Sequence, residues 1–99
     1  MDLNKFAKRA YQCALKRGKV HENLTSDQLH QETAQGLTQE TTEVVEASEE
    51  ICADHVPHFT EVQEELADVI IVACTELYRR GTDVEALLHA KMKYNEHRD

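Results

Sequence analysis

Apolar side chains recur every three or four residues through most of this chain, which is the spacing of amphipathic helices. The first such segment runs from about Leu3 to Arg17 and stops before Gly18, a residue that readily takes the left-handed conformation found at helix ends. A second segment begins after Ser26, the residue expected to cap it, and extends to about Ala53. The pattern therefore predicts two helices before the only proline.

Two more helices follow from patterns typical of helix starts. Thr60-Glu61-Val62-Gln63 has the form of a capping box, in which the first and fourth residues bond to each other's backbone N–H groups, and it opens a third helix that ends at Arg80. Thr82-Asp83-Val84-Glu85 has the same form and opens a fourth helix, from about Asp83 to His97. With 3 glycines and 1 proline, residues 1–99 are expected to form one all-α domain, a four-helix bundle.

The third helix is apolar on nearly every side from Leu66 to Cys74, which is typical of the central helix of a bundle. A domain of 99 residues buries only about 60 to 65% of its unfolded surface, so a monomer is marginally stable. We therefore expect a homo-oligomer, at least a dimer.

Composition excludes several partners. The formal net charge of −8 argues against nucleic acid, whose binding depends on Lys and Arg displacing counterions. The N-terminus lacks a signal-like apolar stretch, and no segment approaches the roughly 20 apolar residues of a membrane span, so we expect a cytoplasmic protein with no membrane partner. Three cysteines without CxxC spacing are expected to be reduced and to pack as small buried hydrophobic side chains: Cys13, Cys52 and Cys74.

Two acidic pairs supply the candidate chemistry. Glu40 and Glu43 are three residues apart on the second helix, and Glu65 and Asp68 have the same spacing on the third. Side chains at this spacing lie about 60° apart on one helix face. Two such pairs facing each other would form a four-carboxylate site for a hard divalent cation.

Each pair has a competing interpretation. On the second helix Glu40 falls within the apolar stripe and Glu43 at its margin, and Glu46 is the nearest alternative ligand. A hydrated acidic face without any metal remains the alternative for that whole helix. Asp68 lies in an apolar run, where an ion pair with Arg or Lys is the alternative to a metal.

The fourth helix carries a complementary set of polar residues. Its apolar stripe begins at Val84, Leu87 and Leu88, and three- and four-residue steps extend it to polar side chains. These side chains offer an ammonium, an amide and a forked guanidinium, as an oligophosphate requires: Lys91, Asn95 and Arg98.

In this order the residues resemble the MazG-like branch of the all-α nucleoside triphosphate pyrophosphohydrolases. The hallmark of that family is ExxE, a spacer and ExxD, and 21 residues separate the two motifs here. The family also has a closing K-x3-N-x2-R signature and a Gly-[Ile/Thr]-Asp turn, which residues 91–98 and 81–83 match. The likeness covers residues 37–98.

The resemblance implies a MazG-like bundle, assembled as a dimer or a dimer of dimers. It would hydrolyse a nucleoside triphosphate to the monophosphate and pyrophosphate, in house-cleaning or nucleotide-pool control. It implies that four residues hold Mg²⁺, or Mn²⁺ in its place, and carry the catalysis: Glu40, Glu43, Glu65 and Asp68. Lys91, Asn95 and Arg98 would bind the phosphates. Which glutamate orients the attacking water is open.

The base and sugar preference is also open. Family members that prefer pyrimidines use aromatic and amide side chains of the first helix and the connector after it, whereas this chain has no tryptophan. The candidates to contact a base are Phe6, Tyr11, His21 and Asn23.

Three other classes of protein are alternatives to this family. A di-iron carboxylate bundle requires Glu-x-x-His, which the chain lacks. A zinc module drawn from Cys52, His55 and His58 has no fourth ligand at a suitable spacing. The stronger rival is a catalytically silent helical interaction protein that keeps the bundle.

Overall fold

The computed structural model describes residues 1–98, which form four α-helices and contain no β-strand. The helices are α1 (Leu3–Lys16), α2 (Ser26–Glu46), α3 (Glu61–Tyr78) and α4 (Val84–His97). This confirms the all-α class. Within these residues no helix combines the length and the apolarity needed to cross a bilayer.

Glycine and capping signals set most of the helix ends. Gly18 and Gly81 follow α1 and α3 with φ of 72° and 71°, the left-handed conformation that glycine tolerates without strain. The predicted capping box of α3 is confirmed, because the Thr60 N–H donates to Gln63 Oε1 over 2.8 Å and the Gln63 N–H donates to Thr60 Oγ1 over 3.2 Å.

Two predicted caps were wrong by one residue. Thr25, rather than Ser26, caps α2, and it forms a complete capping box with Gln28. Asp83, rather than Thr82, caps α4, because its Oδ1 accepts the Ala86 N–H over 3.0 Å. In both cases several cap-forming residues are adjacent, and the residue whose side chain meets the N–H three positions on becomes the cap.

Helix α2 ends at Glu46, so its predicted extension to Ala53 was wrong. Ser48 stops the helix. Its hydroxyl accepts the N–H groups of Glu50 and Ile51, and its own N–H donates to Glu61 Oε1 over 2.9 Å. A serine that satisfies its neighbours' N–H groups in this way competes with helix continuation.

The chain divides into two compact units. The first unit contains Met1–Val20 and the residues from Cys74 onward, and the second contains His21–Ala73. The core of the first unit is built on Ala7, Cys74 and Val84. In this unit Asn4 joins the starts of α1 and α4, because its Nδ2 donates to Asp83 Oδ1 over 2.9 Å and its Oδ1 accepts the Val84 N–H over 2.7 Å.

A buried ion-pair cluster, which the sequence reasoning did not single out, also belongs to the first unit. Glu76 is only 7% exposed, and its carboxylate accepts from Arg79 and Arg80, each over 3.2 Å. Spacings of three and four residues place these partners on one helix face. The arginines neutralise a carboxylate that would be costly to bury alone.

Many apolar side chains stay exposed in the second unit. No residue of α2 is fully buried, Val45 is 84% exposed, and on α3 Leu66 and Ile70 are 48% and 60% exposed. The expectation for the cysteines was wrong in part, because Cys74 alone among the three is buried.

Candidate metal centre

Four carboxylates from two helices converge in the second unit. Glu40 and Glu43 come from α2, and Glu65 and Asp68 come from α3. One oxygen from each side chain lies within 4.8 Å of the others. All four residues are partly buried. The structure therefore brings together the two acidic pairs that the motif spacing singled out.

Two oxygens of this centre lack a partner. Glu40 Oε2 and Glu65 Oε2 are buried and accept no hydrogen bond within the described part of the chain. A buried acceptor without a partner costs about 1 to 3 kcal/mol, and more when the group is charged. A hard dication coordinated by carboxylate oxygens would satisfy both. The donor set thus fits Mg²⁺ or Mn²⁺.

The acids also perturb one another. Burial, then a hydrogen bond with Glu43, then the negative charges of Glu43, Asp68 and Glu65 raise the pKa of Glu40 from 4.5 to about 7. Burial and the charge of Asp68 also raise the pKa of Glu65. The centre therefore binds a proton more readily than isolated carboxylates do, because burial and like charges at this distance disfavour full ionisation.

The acids next to these motifs on α2 and α3 do not join the group of four. Glu61 accepts the Ser48 N–H, and Glu64 lies 3.3 Å from His55 Nδ1. Glu46, the alternative ligand, is exposed at the last residue of α2 and stands outside the group of four. Among these acids, the four in the two motifs are therefore the ones whose oxygens lie close together.

The candidate phosphate-binding residues are exposed. We expected Lys91, Asn95 and Arg98 to face the core, and this was wrong for the described chain, where all three are exposed. Val84 is fully buried, but Leu87 and Leu88 are already 43% and 41% exposed. The apolar stripe of α4 is therefore exposed to solvent after the first turn of the helix.

The candidate base contacts have structural roles. The Tyr11 ring packs against Tyr78, with centroids 5.2 Å apart. Both rings line an open cavity of about 630 Å³ in the first unit, together with Asn4, Arg79, Gly81, Thr82 and Asp83. His21 is tied to Glu32 through its N–H over 3.0 Å and its Nδ1 over 2.9 Å.

The other two candidates to contact a base, Phe6 and Asn23, also have structural roles. Phe6 packs against the core of the first unit. Asn23 takes a positive φ of 61°, which asparagine tolerates in turns.

Tyr94 was missed by the sequence reasoning. The Lys91 Nζ lies 4.7 Å from the centroid of its ring. The signal was present, since Tyr94 follows Lys91 by three residues on the same helix. In contrast, Cys52, His55 and His58 do not form a metal-binding group within residues 1–98.

No family model, curated protein or solved structure matches this chain.

Proposed function

We propose that this chain is a Mg²⁺-dependent nucleoside triphosphate pyrophosphohydrolase of MazG-like type. The observation that carries the proposal is the convergence of four carboxylates, two of which keep a buried oxygen without a partner. A purely structural acidic face would leave these oxygens hydrated. A dication that also binds phosphates would coordinate these two oxygens and offset the cost of burying them.

The four carboxylates hold the metal, and the reaction is a hydrolysis. Mg²⁺ held by Glu40, Glu43, Glu65 and Asp68 would neutralise phosphate oxygens and make a water more acidic. Water attacks the α phosphorus, the bond between that phosphorus and the bridging oxygen to the β phosphate breaks, and pyrophosphate leaves. One of the three glutamates would also orient the water and take its proton, through a carboxylate oxygen that does not bind the metal.

The basic end of α4 binds the phosphate chain. Lys91 and Arg98 offset its negative charge, and Asn95 donates an amide hydrogen bond. All three side chains are exposed, so a ligand can reach them without rearrangement of the core.

The active protein is a homo-oligomer, a dimer or a tetramer. This proposal is supported by the exposure of Val45, Leu66 and Ile70 in the unit that carries the acids. Large apolar side chains exposed together mark interaction surfaces, and a symmetric interface would cover the same side chains on both copies.

The test is product analysis. The purified protein is incubated with canonical and modified nucleoside triphosphates and Mg²⁺ in ¹⁸O-labelled water. We expect pyrophosphate and monophosphate in equal amounts, with the label in the monophosphate. Glu65→Gln should abolish turnover, whereas Glu46→Gln, which removes an exposed acid outside the centre, should not.

The same exposed apolar side chains favour one alternative, a helical interaction protein without catalysis. Absence of turnover with every triphosphate, from a protein that is folded and oligomeric, would support that alternative. Release of orthophosphate would instead show cleavage of a different bond.

A further inference from the structure

Tyr94 stands between two cationic side chains at the end of α4. It follows Lys91 by three residues and precedes Arg98 by four, a spacing that brings side chains together on a helix surface. The Lys91 Nζ lies 4.7 Å from the ring centroid, and the Arg98 Cζ lies 6.0 Å from it. Both are within the distance of about 6 Å at which an aromatic ring attracts a cation.

The exposure of Tyr94 argues against a role in the core. The residue is 59% exposed, and both cationic neighbours are exposed as well. Substitutions at surface positions usually change folding stability little. A large aromatic ring that contributes little to the core is therefore available for another purpose.

The ring can hold both cations without using their hydrogen-bond donors. Attraction comes from the negative electrostatic potential of the ring face. The Lys91 ammonium carries three N–H donors and the Arg98 guanidinium carries five, and a ring occupies one side of each group. The donors that point away from the ring remain available to phosphate oxygens.

Two positive charges gathered at one ring also repel each other. Their repulsion is relieved best by a ligand that carries several negative charges along its length. A chain of linked phosphates has this property, whereas a single carboxylate does not.

We propose that Tyr94 is a positioning residue that holds Lys91 and Arg98 as a paired cationic site for an oligophosphate. The inference rests on the proposed function, which assigns these two cations to the phosphate chain. Tyr94 acts through the cations and does not itself bind the phosphates.

Tripolyphosphate binding, followed by isothermal titration calorimetry in the presence of Mg²⁺, tests this role without turnover. Tyr94→Leu removes the ring and keeps apolar bulk, whereas Tyr94→Phe keeps the ring and removes the hydroxyl. We expect tripolyphosphate affinity to fall about two- to fivefold in Tyr94→Leu and to keep its wild-type value in Tyr94→Phe. The KM for the nucleoside triphosphate should follow the same pattern while kcat stays constant.

Two further variants complete the design. Met92→Ala is the matched control, because Met92 is 56% exposed on the same helix and should keep wild-type affinity. Lys91→Ala tests the underlying assignment and should weaken tripolyphosphate binding at least as much as Tyr94→Leu.

The outcomes separate the two proposals. Unchanged affinity in Lys91→Ala would overturn the phosphate assignment, and the role of Tyr94 with it. If Lys91→Ala binds tripolyphosphate more weakly and Tyr94→Leu keeps the wild-type affinity, the role of Tyr94 alone is overturned. Equal losses of affinity in Tyr94→Leu and Tyr94→Phe would assign the effect to the hydroxyl and overturn the proposal that the ring positions the two cations.

Discussion

Glu40 on α2 and Glu65 on α3 each bury one carboxylate oxygen, Oε2, that accepts no hydrogen bond from any described residue. The two side chains belong to a group of four acids whose oxygens lie within 4.8 Å of one another. Burial of mutually repelling carboxylates works against folding. Such a cost is expected at a functional site, where stability and activity oppose each other.

The first prediction concerns pH in the absence of metal. The pKa of Glu40 is raised from 4.5 to about 7 in the folded protein, chiefly by burial. The folded state therefore binds the proton more tightly than the unfolded state, and the stability that this gives is present below about pH 4.5 and is lost as the pH rises through 7.

Thermal melts in EDTA between pH 5 and 8 measure this effect. Glu40→Gln lacks the titrating group, so its melting temperature should rise relative to wild type as the pH increases. A difference between the two proteins that does not change with pH would contradict the buried, proton-binding state of Glu40. Glu46→Gln, which removes an exposed acid of the same helix, is the control.

The second prediction concerns the contact between the starts of α1 and α4. Asn4→Ala removes a donor to Asp83 and leaves the buried Val84 N–H without its acceptor. We expect a loss of about 1 to 3 kcal/mol in the free energy of unfolding, measured by urea denaturation. Gln12→Ala, at an exposed position of α1, should change it little, and an equal effect in both variants would remove the special role of Asn4.

Local signals in the sequence predicted most of the fold. Gly18 and Gly81 marked helix ends because a left-handed residue stops a helix wherever it occurs. The end of α2 was not predictable in this way. It depends on the Ser48 N–H meeting Glu61, 13 positions away, and no glycine or proline marks the place.

The candidate site was predictable to the extent that it depends on helix period. A spacing of three residues placed Glu40 with Glu43 and Glu65 with Asp68, and the apolar surroundings of Glu40 and Asp68 indicated that they face inward. The exposure of Lys91 was not predictable, because the apolar stripe of α4 does not reveal where neighbouring helices stop covering it. The contact between Lys91 and the Tyr94 ring could be predicted from their spacing of three residues. That prediction requires Tyr94 to be treated as a ring that attracts a cation.

The third prediction concerns assembly. Ile70 is 60% exposed on α3, and we propose that a second copy of the chain covers it. Multi-angle light scattering at micromolar concentration should give at least a dimer for wild type and a smaller species for Ile70→Lys, because an interface cannot bury an unpaired charge without a large cost. Gln35→Lys introduces the same charge at an exposed polar position and should stay oligomeric, whereas a monomeric wild type would refute the proposed assembly.

The most direct test of the metal centre is the effect of Mg²⁺ on thermal stability in wild type and Glu65→Gln. A ligand that binds only the folded state at about ten times its Kd stabilises it by about 1.4 kcal/mol, and 1 kcal/mol corresponds to about 4 to 8 °C in a domain of this size. We predict that Mg²⁺ raises the Tm of wild type and of the control Glu46→Gln by several degrees. Glu65→Gln should be at least as stable as wild type without metal and should gain little from Mg²⁺. An equal Mg²⁺ effect in all three proteins, or a marked loss of stability in metal-free Glu65→Gln, would contradict the assignment of these carboxylates to a metal site.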